Sequence, residues 1–100
     1  MLTSKQRAYL KGLANRLDAT HQVGKGGVSP ELCSTVDEVL EKRELVKISV
    51  LKNAELDAKE AAEMLSGRTR SQVICVVGGK FVLYRQAKDE KNRKIELPKK

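Results

Sequence analysis

The sequence predicts an α/β domain with a four-stranded mixed sheet, its elements in the order αβαβαββ. Three observations carry this. Apolar residues recur at helical spacing in three segments, and they alternate along 44–52 as in a half-buried strand. The chain also closes on two β-rich runs flanking Gly78-Gly79, the signature of a two-residue hairpin turn. Helices alternating with strands imply layers on a sheet with right-handed crossovers. One hundred residues form one domain, which buries roughly 60–70% of its unfolded surface and needs no staples.

The elements follow in order. In 4–18, "SKQRAYLKGLANRLD", Ser4 is a candidate cap and Leu10, Leu13, Ala14 and Leu17 form the apolar stripe. Gly12 weakens this helix by roughly 1 kcal/mol relative to Ala, so a close approach to its backbone is expected. "THQV", 20–23, is a short strand. Ser29 then caps a helix with Pro30 at its first position, running to about Arg43 on Leu32, Val36, Val39 and Leu40. Its outer face carries Asp37, Glu38 and Glu41. In 44–52, Val46, Ile48 and Val50 point one way and Lys47 and Ser49 the other. Asp57 and Glu60 have capping-box spacing ahead of a third helix on Ala58, Ala61, Ala62 and Leu65, with Gly67 as its C′ residue.

Tight pairing across Gly78-Gly79 puts Ile74 and Val76 on one face with Phe81 and Leu83. Val73, Cys75 and Val77 then share the other with Val82 and Tyr84. Both faces are apolar, so cover is expected on both sides over part of the sheet. The domain is expected over 1–86 and a mobile, charged tail over 87–100.

Composition narrows the function. The net charge is +7 and the isoelectric point about 9.6. The positive charge is segregated: 31–70 holds nine acids to seven bases, whereas 1–30 holds five bases and only Asp18. Such segregation favours a polyanion partner over a basic surface kept for solubility. No run approaches the ~20 apolar residues that span a bilayer, and no signal peptide is evident. Cys33 and Cys75 fit no metal or redox spacing and suit a reducing cytoplasm. The lone His21 has no neighbouring Cys or Asp, so no catalytic constellation, cofactor or small-molecule substrate is expected.

The glycine cluster Gly24, Lys25, Gly26, Gly27 is the remaining motif. It is not a P-loop, because lysine stands between glycines and Val28-Ser29 follow. It is not a dinucleotide fingerprint, which needs a glycine where Ser29 stands. As G-x-x-G it resembles the loop with which KH modules clamp a nucleic-acid backbone, although a strand precedes it here and KH joins two helices directly. Positive-φ turn glycines are the structural alternative.

In this order and spacing, "LTSKQRAYLKGLAN", "VGKGGVS", "ELVKISVL" and "VVGGKFVLYR" closely resemble the CRM domain (chloroplast RNA splicing and ribosome maturation), in particular the single-domain bacterial YhbY-like proteins. The resemblance covers roughly residues 2–86. Gly26 departs from many relatives. The resemblance implies a fold like the C-terminal domain of translation initiation factor 3. It further implies binding of RNA, chiefly ribosomal RNA and large-subunit (50S) precursors, with no catalysis and no cofactor.

The family's loop carries over to Gly24, Lys25, Gly26 and Gly27, and its basic first helix to Lys5, Arg7 and Lys11. Arg85, in "LYR", is a further candidate, and Arg68 and Arg70 are added from a basic loop. A cytoplasmic monomer assisting ribosome assembly is expected. The competing expectation is a protein–protein adaptor docking through Asp37, Glu38 and Glu41.

Overall fold

The computed structural model describes residues 2–99; Met1 and Lys100, the outer ends of the two expected segments, lie outside the described residues. The elements are α1 (Ser4–Ala14), β1 (His21–Val23), α2 (Pro30–Arg43), β2 (Leu45–Val50), α3 (Ala58–Thr69), β3 (Gln72–Val77) and β4 (Lys80–Tyr84), with a 3-10 turn at Glu90–Asn92. The sheet order is β1-β2-β4-β3. β1 runs parallel to β2 and the other neighbours are antiparallel, so the mixed four-stranded sheet is as expected.

Helices cover both faces. Val36 and Leu40 of α2 and Ala61, Ala62 and Leu65 of α3 meet Val23, Val46, Ile48, Phe81 and Leu83 in the main core. A large aliphatic or aromatic side chain buried this fully stabilises the fold by about 1.5–3 kcal/mol. On the opposite face, Leu10 and Ala14 of α1 pack on Leu45, Ile74, Val82 and Tyr84.

Local chemistry moves several boundaries. The cap of α1 is Thr3, not Ser4: Thr3 Oγ1 accepts the Gln6 N–H at 3.1 Å while Gln6 Oε1 accepts the Thr3 N–H at 3.0 Å, a reciprocal capping box. The helix stops at Ala14 rather than Asp18. Arg16 and Leu17 donate only to carbonyls three residues back, and Lys47 Nζ takes the Leu17 carbonyl. Leu17 is consequently 38% exposed instead of completing the stripe. Gly12 lies on the exposed side, with nothing within 4 Å of where a Cβ would stand, so no close approach explains it. Gly67 is inside α3, not beyond it. The helix runs on through the buried Thr69, whose hydroxyl donates to the Leu65 carbonyl, to Arg70, which ends it at φ +56 with its N–H on the Ser66 carbonyl.

The hairpin departs most. Gly78 adopts φ +59, as the first central residue of a tight hairpin turn must. Pairing is tight from Val77↔Lys80 to Cys75↔Val82, but the next pair is Val73↔Leu83. Ile74 is therefore the extra residue of a β-bulge. Val76 stays with Phe81 and Cys75 with Val82, as expected. Beyond the bulge the faces exchange: Val73 joins Leu83 in the main core, and Ile74 turns to Val82 and Tyr84 on the α1 side.

The described part of the tail lies against the body, not free of it. Glu44, fully buried at φ +67, accepts the N–H groups of Ala87, Lys94 and Ile95 at 2.7, 2.6 and 2.9 Å. Glu41 accepts those of Lys88 and Asp89. Ile95 and Leu97 reach the α1-side core. Backbone N–H groups make most of the attachments to Glu41 and Glu44, so side-chain composition could not reveal those. Burial pushes the Glu44 carboxyl up, but the three donors more than reverse this and leave it below its ordinary value. In Glu41, the Asp89 and Lys88 N–H groups bring the value from 4.5 down to about 2.

A depressed carboxylate stabilises the attachment fully above its ordinary value and loses that contribution as pH falls through the lower one. The Lys88 and Asp89 amide resonances should therefore titrate with an inflection near pH 2, not 4.5. NMR titration checks this; an inflection at the ordinary value would show a detached strap.

Candidate nucleic-acid interface

Strand directions decide which loops meet. β1 and β2 are parallel and finish together, with Val23 opposite Val50. β4 is antiparallel to β2 and begins there, with Lys80 opposite Ser49. One end of the sheet thus collects the Gly24–Gly27 loop, the segment from Leu51 into α3, and the Gly78-Gly79 turn. Hydrogen bonds tie them: Leu51 N–H to the Val23 carbonyl at 2.9 Å and Val50 N–H to the Gly79 carbonyl at 2.7 Å. Gly24 and Gly79 lie about two strand spacings, ~10 Å, apart across β2.

The glycine loop is a four-residue turn closed by the Gly27 N–H to the Gly24 carbonyl at 2.9 Å. Its glycines differ in need. Gly27 has φ +67, a conformation that costs an L-residue roughly 1–2 kcal/mol. A Cβ on Gly24 would meet Leu51 Cδ1 at 3.6 Å, ordinary contact, and one on Gly26 would meet nothing. Lys25 and Gly26 form the exposed tip. Turn geometry thus accounts for Gly27, while Gly24 and Gly26 only keep the backbone uncovered.

The start of α2 offers an anion less than its sequence suggests. Ser29 Oγ takes the Leu32 N–H, the Ser29 carbonyl takes that of Cys33, and Pro30 has none. The Glu31 carboxylate occupies the same first turn.

The expected site residues separate. Lys25 is joined at its end of the sheet by Lys52 and Lys80, both exposed, which sequence reasoning passed over. Lys80 follows the hairpin glycines directly, a signal that gains meaning only once the hairpin is placed beside the loop. Lys11 is exposed, four residues before Asn15 and hence on the same side of α1. Asn15 and Ala14 line a groove with Gly79 and Lys80. Lys5 lies at the far end of α1. Arg7 is partly withdrawn, its Nη1 donating to the Val73 carbonyl at 2.7 Å beside the bulge.

Three candidates fall elsewhere. α3 starts at the loop end and rises about 18 Å over its length, so Arg68 and Arg70 sit at the opposite end and are not brought to the loop. Arg85 also lies there, only 9% exposed. Its guanidinium pairs with Asp37 and Glu41 and donates to the Thr69 and Asp37 carbonyls. It ties β4 to α2 and α3, and its charge is unavailable to a phosphate. His21 hydrogen-bonds only its neighbour Thr20 among the described side chains. Among the described residues no group of three or more His, Cys, Asp or Glu is gathered as a metal site would require, and no helix is long and apolar enough to cross a membrane.

A family model described as the CRS1/YhbY (CRM) domain matches residues 2–85. The chain belongs to this family. The CRM match therefore runs from the residue before Thr3 to Arg85, the residue that closes the body of the fold. YqeI of Bacillus subtilis, named a probable RNA-binding protein, is 45% identical, with 98% of this chain and 100% of that one covered. MJ0652 of Methanocaldococcus jannaschii, likewise named, is 36% identical over 99% of this chain and 75% of its own. The solution structure of SAV1595 from Staphylococcus aureus superposes with a TM-score of 0.77 at 46% identity, covering 98% of this chain and all of that one.

Three variants test this geometry. Gly27→Ala should lower stability by roughly 1–2 kcal/mol, and Gly26→Ala should leave it within about 0.5 kcal/mol, both read by urea unfolding. Arg85→Leu should cost about 2 kcal/mol, because it strands the Thr69 carbonyl and removes the partner of two carboxylates; equal stability of this variant and the parent would refute the structural role.

Proposed function

We propose that this chain binds ribosomal RNA in precursors of the large ribosomal subunit and assists their assembly, with the Gly24–Gly27 loop and its neighbouring lysines holding sugar-phosphate backbone. The observation that carries the reading is the convergence of an uncovered glycine turn with exposed Lys25, Lys52 and Lys80 at one end of the sheet. A backbone without side chains admits close approach of a nucleic-acid strand, and mobile ammonium groups beside it neutralise phosphates. The names of the relatives agree in RNA binding. The adaptor reading has less support, because Asp37 and Glu41 already engage Arg85 and the C-terminal segment, although the Asp37 side chain stays 49% exposed near Glu38.

Binding of this kind falls steeply with salt, by a slope of about 0.9 per phosphate neutralised on a duplex. Lys25→Ala and Lys80→Ala should each weaken binding to a ribosomal RNA fragment and flatten the slope by about 1. Arg68→Ala with Arg70→Ala should change affinity less than about twofold, since these residues lie at the far end. Fluorescence anisotropy over a salt series measures both. Parental affinity and slope in the lysine variants would sink the loop assignment, and a strong effect of the arginine pair would relocate the site.

A further inference from the structure

α1 covers only part of its side of the sheet. Its last turn, Ala14, and the following Asn15 stop above the hairpin; there one cross-strand row is only partly covered, with Val82 itself 3% exposed, and the next is uncovered. One row is Lys47–Val82–Cys75 and the next is Ser49–Lys80–Val77. Together with Asn15 they line a groove of about 530 Å³, within the size range of small-ligand sites. The floor is apolar: Val82 and Cys75 lie along it, and Val77 is 63% exposed although it stands in a strand. The rim is basic and polar, with two lysines, a serine hydroxyl and an amide but no acidic residue among the lining side chains. Lys47 gives one N–H to the Leu17 carbonyl and keeps two donors free. The groove is continuous with the glycine-loop end, because Val50 and Gly79 belong to both.

We propose that this groove is a subsite for one unpaired nucleobase of the bound RNA. The inference rests on the RNA-binding reading and adds what the phosphate contacts cannot supply, a preference for single-stranded over fully paired RNA. In a duplex the faces of the bases are stacked on one another, whereas a base in a loop or bulge can be turned outward. Its ring lies on Val77 and Cys75, its polar edge meets Asn15 and Ser49, and the adjoining phosphate meets Lys80. Phe81 borders the groove but its ring is buried in the main core on the other face, so apolar contact and hydrogen bonds hold the base. Charge argues against a second copy of the chain as occupant: a two-fold contact would set Lys47 and Lys80 against the same pair.

The two cysteines provide the test, since Cys75 lines the groove and Cys33 packs against the core on the other face. The full chain is saturated with an RNA hairpin closed by an unpaired loop, or with a fully paired duplex of the same stem. Alkylation by N-ethylmaleimide is followed at each cysteine. The hairpin should slow Cys75 by roughly fivefold or more, the duplex should not, and Cys33 should react alike in both complexes. Val77→Ser, a change without charge at an exposed position, should weaken hairpin binding by roughly fivefold and leave duplex binding unchanged. Equal reactivity of Cys75 in both complexes, or parental hairpin affinity in Val77→Ser, overturns the subsite while leaving the phosphate-binding loop standing. Failure of both RNAs to bind overturns the RNA reading itself and the subsite with it. An RNA-free dimer in sedimentation velocity, with Cys75 protected, assigns the groove to a second copy instead.

Discussion

The buried junction at Glu44 and Arg85 organises one end of this molecule. Glu44 sits where α2 turns into β2, in a left-handed conformation unusual for a residue with a side chain. Its carbonyl accepts the Arg85 N–H, extending the β2–β4 pairing by one step. Its carboxylate, withdrawn from water, gathers three N–H groups of the C-terminal segment. A buried charge is tolerated only when it is satisfied in this way. Arg85 is held in the same way from the other strand, its two terminal nitrogens engaged by Asp37, Glu41 and the Thr69 carbonyl while its buried Nε has no partner among the described residues. Two helices, two strands and the terminal segment are thereby fixed to one another through buried charged groups.

The two ends of the sheet consequently differ in kind. At the Glu44 end polar groups face inward and pair with each other, Arg85 Nε excepted. At the other end the strands finish in glycine turns, the helix caps are local, and the lysines project outward with no carboxylate opposing them in a salt bridge among the described residues. A charge already paired inside the fold has nothing left to offer a polyanion, so the ion pairs of one end leave binding to the other. The short α1 adds to this asymmetry by leaving the hairpin end of its sheet face open.

Much of this architecture is legible in the chain because it depends on neighbours in sequence. The Asp57–Glu60 capping box, the Ser29-Pro30 start of α2, the Gly78-Gly79 turn and the alternation along β2 each involve residues within a few positions of one another. The errors have a common origin as well. Ser4 and Gly67 carry good local signals, yet Gln6 pairs with Thr3 as the cap and α3 continues past its glycine to Thr69. The bulge at Ile74 has no sequence mark, since every residue around it is apolar and fits either face.

The sequence by itself determined the order of elements, the glycine turn with lysine at its tip, and an excess of positive charge. All three follow from composition or from short-range periodicity. Only the tertiary structure decided which cations are free. Arg85 and Asp37 stand 48 positions apart, and Arg7 reaches Val73 across 66, so their pairing is set by how strands align and not by any local pattern. The same alignment brings Lys80 to the same end of the sheet as Lys25 and sends Arg68 and Arg70 to the far end of α3. Charge is a property of residues, but its availability to a partner depends on what the fold has already placed against it.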